Sequence, residues 1–187
     1  MSTSSSRTLV LIAHNLRSCH NVGSLLRTAD GLGVERVYLT GYTPYPLQER
    51  DRRMPHIARK IDAQIHKTAL GAERSVSWTA SEDVLAVIRE LKASGCMVAA
   101  LEQSPGSISL PAYRPPEKIA LLVGREVEGV EPEVLAACDL ALEIPMSGHK
   151  ESFNVAAAAA ICMYHLRCFS VPAGETPRDS SLRIDEQ

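Results

Sequence analysis

Short apolar, β-branched runs recur at residues 8–13, 34–40, 96–101, 118–123 and 139–144, with a shorter one at 75–78. They predict six strands. Between most of them the apolar positions switch to helical spacing, at 21–32, 55–70, 81–94 and briefly after Pro132. Strand followed by helix, repeated, is the signature of an α/β domain with a mostly parallel six-stranded sheet and helices on both faces. Residues 98–101 and 119–123 contain no polar side chain and are expected at the centre of that sheet, buried on both sides. The 81–94 segment reads as an amphipathic helix: Ser81 is the expected N-cap, Glu82 and Asp83 fall in the first turn, and Val84, Leu85, Val87, Ile88 and Leu91 form the stripe before Gly95 stops it.

Two stretches break the pattern. Residues 103–117 include Pro105, Gly106, Pro111, Pro115 and Pro116, which predict an irregular loop of functional length. Beyond Phe169 the chain is rich in Pro, Gly, Ser and charge without periodicity. The reading is one domain over 7–170, with disordered tails at 1–6 and 171–187.

Composition narrows the field. A chain of 187 residues with 45% hydrophobic and 22% charged residues is globular and holds one core. The net charge of -2 argues against a globally basic nucleic-acid binder, leaving only a local basic patch, and 4% aromatics argue against a base-stacking sheet. Cys19, Cys96, Cys138, Cys162 and Cys168 form no C-x-x-C pair and follow no apolar leader, which points to reduced thiols and a cytoplasmic location. No run approaches the roughly 20 apolar residues of a membrane helix, so no membrane association is expected.

Three segments are too polar and too ordered to be connectors. The first leads from strand to helix and carries Asn21-x-Gly23-x-x-x-Arg27, with Asn21 placed to cap the helix, Gly23 permitting close approach, and Arg27 two turns in. The second, Gly124-x-Glu126-x-x-Gly129, follows the most apolar strand, at the end where parallel sheets gather ligands. Its spacing fits neither G-x-G-x-x-G nor a P-loop. The third runs from Ile144-Pro145-Met146 through Ser152-Phe153-Asn154 into an Ala-rich helix, placing Ser152 and Asn154 at a helix start. Taken singly, caps, turns and a buried helix would account for each.

In this order the three segments resemble the SpoU, or TrmH, family of RNA ribose 2′-O-methyltransferases of the SPOUT superfamily, over residues 9–166. Phe153, Ala156 and Arg125 depart from the residues usual in that family. The resemblance implies an α/β knot with a deep C-terminal trefoil, a homodimer, and S-adenosylmethionine (AdoMet) held by Leu101, Gly124, Ile144, Met146, Ser152 and Phe153. It implies catalytic roles for Arg27, Asn21, Glu126, Ser152 and Asn154, with Arg27 acting on the ribose hydroxyl as base or as orienting charge.

For RNA, residues 48–67 bring Arg50, Arg52, Arg53, Arg59, Lys60 and Lys67 against Glu49, Asp51 and Asp62. Arg50, Arg52 and Arg53, with Arg17 and Lys150, are the expected phosphate contacts. His56, His66 and His149 stand alone in sequence, and no metal is implied. The expected substrate is tRNA, with rRNA as the alternative. A non-catalytic AdoMet- and RNA-binding knot and a nicotinamide-dependent reductase are the rival readings. The second lacks the glycine fingerprint and the ribose-binding acid.

Overall fold

A computed structural model describes residues 7–169; the tails expected at 1–6 and 171–187 lie outside the described residues. In chain order the elements are β1 (Thr8–His14), α1 (Cys19–Gly31), β2 (Arg36–Thr40), α2 (Pro55–Ala69), α3 (Ala72–Ser75), β3 (Trp78–Ser81), α4 (Val84–Ala93), β4 (Met97–Leu101), β5 (Ile108–Ser109), a 3-10 turn (Leu110–Ala112), β6 (Lys118–Val123), α5 (Pro132–Ala137), β7 (Leu140–Glu143) and α6 (Val155–Cys168). The strands form one sheet in the order β3-β2-β1-β6-β4-β7-β5, every pairing parallel.

Side-chain alternation along the central strands builds two cores. Leu9, Leu11, Ala13, Ile119, Leu121 and Val123 face α1, α2 and α6, whereas Val10, Ile12, Ala120 and Leu122 face α4 and α5. Both faces being buried explains why β4 and β6 carry no polar side chain in their interiors.

Four expectations shift. There are seven strands, not six, because Ile108–Ser109 inside the proline-rich segment pairs with β7 as a two-residue edge; Pro105 and Pro111 flank it without interrupting the ladder. The run at 75–78 divides into the end of α3 and the start of β3: it lies at the opposite edge, where a half-buried strand carries a weak apolar signal. Asp83 caps α4, its carboxylate accepting from Ala86 N at 2.9 Å, while Ser81 belongs to β3 and pairs with Thr40. Ser18 caps α1 by accepting from Asn21 N at 3.2 Å, which moves the helix start to Cys19 and leaves the Asn21 amide uncommitted to capping.

The chain leaves β7 near one edge yet returns to the middle, where α6 packs on β1, β6 and α1 through Ala156, Ala159, Cys162, Met163 and Leu166. Arg7 fastens its far end, donating to Leu166 O at 2.7 Å and Pro116 O at 2.8 Å. Among the described residues no helix is long and apolar enough to cross a membrane.

Gly23 sits where α1 meets α2. A methyl group there would collide with Thr68 Oγ1 and the Ile65 carbonyl, and Thr68 Oγ1 already donates to His20 O at 2.8 Å. Gly23→Ala is therefore expected to cost about 3 kcal/mol, the upper end for overpacking, because a helix backbone rather than a side-chain tip must move. Denaturant unfolding of the variant measures this; a loss under about 0.5 kcal/mol would show that the helices separate freely.

Candidate active site

The loops after β4, β6 and β7 lie at the carboxyl ends of those strands and border a solvent-open cavity of about 320 Å³, at the lower end of ligand-site sizes. Leu101, Gly124, Ile144, Met146, Ser152 and Phe153, all expected around a cofactor, line it. The loops are tied to one another. Arg125 and Gly129 exchange backbone hydrogen bonds of 3.2 and 3.1 Å, closing a tight turn. Gly129 adopts φ +71°, and any side chain on it would enter the Glu102 carboxylate; one on Gly124 would strike the Gly129 backbone. Glu102 accepts from Val130 N at 2.8 Å, and Gln103 Nε2 donates to Glu151 O at 3.1 Å, joining the first loop to the other two.

Beside the cavity, three sequence-predicted residues meet. Asn21 Nδ2 donates to Glu126 at 3.0 Å, and Asn154 Nδ2 donates to Asn21 Oδ1 at 3.2 Å. The Asn154 Oδ1 meanwhile caps α6, accepting from Ala156 N at 3.0 Å. Glu126 also accepts from the backbone N–H of Ser18 and Arg17 at 3.4 and 3.5 Å. Burial works against its ionisation, but the hydrogen bonds from Asn21 and the backbone outweigh burial and hold the carboxyl below the usual glutamate range.

Arg27 is not brought into this node. It stands two turns along α1, exposed and outside the cavity lining of the single chain. Arg50, Arg52 and Lys150 are exposed, and Arg17 is paired with Glu128 at 3.3 Å. Arg53 differs from the expectation of a free phosphate contact. Its guanidinium binds Asp51 through Nε at 2.8 Å, donates to Tyr45 O and Pro46 O, and lies 3.7 Å over the Tyr45 ring. That pairing drives the Asp51 carboxyl well below its ordinary pKa. Nor is His66 isolated: its Nδ1 lies 2.7 Å from the buried Glu73 carboxylate. Among the described residues no group of three or more His, Cys, Asp or Glu is arranged to hold a metal.

Sequence reasoning missed a second polar cluster behind the cavity. Asn15, in the left-handed region at φ 55°, donates to Glu131 at 2.8 Å and lies 3.0 Å from His14 Nε2. The other ring nitrogen is 2.9 Å from Thr40 Oγ1. Burial lowers the His14 pKa against the attraction of Glu131, so the neutral ring is favoured, with Nε2 accepting from Asn15. The pair of polar residues ending an apolar strand was the available signal.

A parallel α/β sheet with a loop-built cavity at its strand ends defines a class, the α/β proteins that hold a small ligand beyond the carboxyl edge of the sheet. The chain belongs to the SpoU rRNA Methylase family, whose profile matches residues 8–164. Over 158 residues it is 34% identical to a protein from Nitrosomonas europaea named 23S rRNA (guanosine-2'-O-)-methyltransferase RlmB, covering 83% of this chain and 54% of that one. The chain thus spans about half the length of such relatives. The fold is shared with the AdoMet-bound rRNA methyltransferase of Sinorhizobium meliloti at TM-score 0.72, with 22% identity, over 86% of this chain and 56% of that one. A solved structure concerned with the 2-OH methylation of C/U34 on tRNA aligns at TM-score 0.66 with 27% identity, over 86% of this chain and 95% of its own.

Because the folded-state pKa of Glu126 lies below its unfolded value near 4.5, its contribution is complete above that pH and is lost as pH falls through the folded value. Glu126→Gln is expected to lower stability by about 1 kcal/mol at pH 7, with the gap to wild type closing below pH 4.5. Urea unfolding across pH checks it; a gap that persists in acid would show that the charge is not what Asn21 holds.

Proposed function

We propose that this chain is an AdoMet-dependent RNA ribose 2′-O-methyltransferase. The observation that carries the reading is the Asn21–Glu126–Asn154 node, which joins residues from all three motifs at the rim of one cavity. The chemistry of the lining supports the cofactor: Glu102, Glu126, Glu128, Glu143 and Glu151 border the cavity, favouring a ligand that carries a sulfonium and an ammonium. Leu101, Gly124, Ile144, Met146, Ser152 and Phe153 would hold it. Bound AdoMet supplies a methyl group on positively charged sulfur, open to displacement by a ribose oxygen. Asn21, Glu126 and Asn154 fix the start of α1 against the loop after β6, and alignment of the ribose supplies much of the rate.

The working unit is a homodimer. α6 is apolar on both sides: beyond its buried stripe, Ile161 and Tyr164 are 42% and 62% exposed, and Phe153 lies exposed just before it. A second copy covering this face would complete the site with its Arg27, which a single chain leaves outside the cavity. The return of α6 from the edge strand to the sheet centre supports the trefoil threading. For substrate we favour tRNA, since the relative concerned with tRNA matches at nearly its full length; the Nitrosomonas europaea relative supports rRNA as the alternative. RNA phosphates would lie along Arg50, Arg52, Arg17 and Lys150, without Arg53, in a cytoplasmic enzyme.

Radiolabelled methyl transfer from AdoMet to total RNA, followed by mapping of the methylated ribose, tests the activity and separates tRNA from rRNA. Arg27→Ala is expected to lower transfer by on the order of 10²–10³ while AdoMet binds within about twofold of wild type; near-normal turnover would remove Arg27 from the chemistry. Replacing Arg50 and Arg52 by Ala should weaken RNA binding and flatten its dependence on log salt by about 0.7–0.9 for each phosphate no longer neutralised. An unchanged slope would place the RNA elsewhere.

A further inference from the structure

The cavity's charge is acidic with one exception. Among its lining residues Arg125 is the one cation, beside five glutamates in the same lining. Its side chain is 26% exposed, and its buried Nε has no hydrogen-bond partner among the described residues. The nearest carboxylate oxygens, Glu131 Oε1 at 3.6 Å and Glu128 Oε2 at 4.0 Å, lie beyond hydrogen-bond reach. They hold the charge in place by attraction without taking up Nε in a hydrogen bond. The backbone beneath is locked by the Arg125–Gly129 turn, and Glu131 is fixed from behind by Asn15 and faces His14 Nε2 at 3.3 Å.

A fixed guanidinium with a free Nε donor is built to take one carboxylate-like group in a forked hydrogen bond. A phosphodiester at this point would bring a further negative charge against the glutamates with no cation of its own to offset it. A zwitterionic amino-acid end suits both: its carboxylate meets Arg125 and its ammonium meets the acidic lining. We infer that Arg125 binds the α-carboxylate of AdoMet, with Glu131 as its positioning residue. The inference rests on the methyltransferase reading and adds to it the group that recognises the amino-acid end of the cofactor.

The test is calorimetric titration of the full chain with AdoMet and with decarboxylated AdoMet, which keeps the sulfonium, adenosine and amine. Wild type is expected to bind AdoMet about tenfold more tightly than the decarboxylated analogue. Arg125→Gln should abolish that preference while holding the analogue within about twofold of wild type, which also reports an intact fold; Arg125→Lys should restore part of it. Glu131→Gln should narrow the preference without changing affinity for the analogue. The inference is overturned if wild type does not discriminate, or if Arg125→Gln weakens both ligands equally. It is also overturned if that variant keeps its AdoMet affinity and loses RNA binding instead, which would assign Arg125 to a phosphate. A wild-type protein that binds neither ligand overturns the methyltransferase reading itself.

Discussion

The carboxylate of Glu126 is where segments more than a hundred residues apart are held together. It collects hydrogen bonds from Asn21 and from the backbone at Arg17 and Ser18, and Asn21 in turn accepts from Asn154 at the start of α6. Two helix N-termini and the loop after β6 thereby share one polar anchor. The arrangement depends on a division of labour: Ser18 caps α1 and so frees the Asn21 amide, while Asn154 uses its oxygen for the cap and its nitrogen for the node. An Asp at 154 could cap α6 equally well but would carry no donor for Asn21 and would add a negative charge near Glu126.

The parallel sheet makes this convergence possible. All strands run in one direction, so the loops that follow β4, β6 and β7 emerge on the same edge and must fit above it. Their closeness explains the glycines. Gly124 and Gly129 lie where the loop doubles back on itself, and the Glu102 carboxylate occupies the space a side chain on Gly129 would need. The same crowding gathers carboxylates around a small volume. The acidic lining contrasts with the exposed cations Arg50 and Arg52, which lie outside it.

Much of this was legible in the sequence, for definable reasons. The central strands were readable because burial on both faces removes polar residues altogether, as in Ile119 to Val123. The edges were not: Ile108–Ser109 is two residues long, and Trp78–Ser81 is only half-buried, so neither carries a pattern distinct from a loop. The cavity lining was legible because it lies in ordered motifs. Glu102, Asn15 and Glu131 were not, since their roles come from hydrogen bonds made across 28 and 116 residues, which no local spacing encodes. Arg53 shows the opposite error: a basic run reads as solvent-facing, yet Asp51 two residues away and the Tyr45 ring turn its guanidinium inward.

Two features that look unrelated in one chain answer each other. α6 buries Ala159, Cys162 and Met163 completely yet also exposes Ile161 and Tyr164 on its outer side. Arg27, meanwhile, stands exposed on α1, away from the cavity that its motif partners Asn21, Glu126 and Asn154 adjoin. A second copy seated on α6 would bury the first feature and supply the second, so a single physical event would satisfy both. The Asn21–Glu126–Asn154 node would then orient α1 toward a neighbouring copy as well as toward its own cavity, as the proposed homodimer requires.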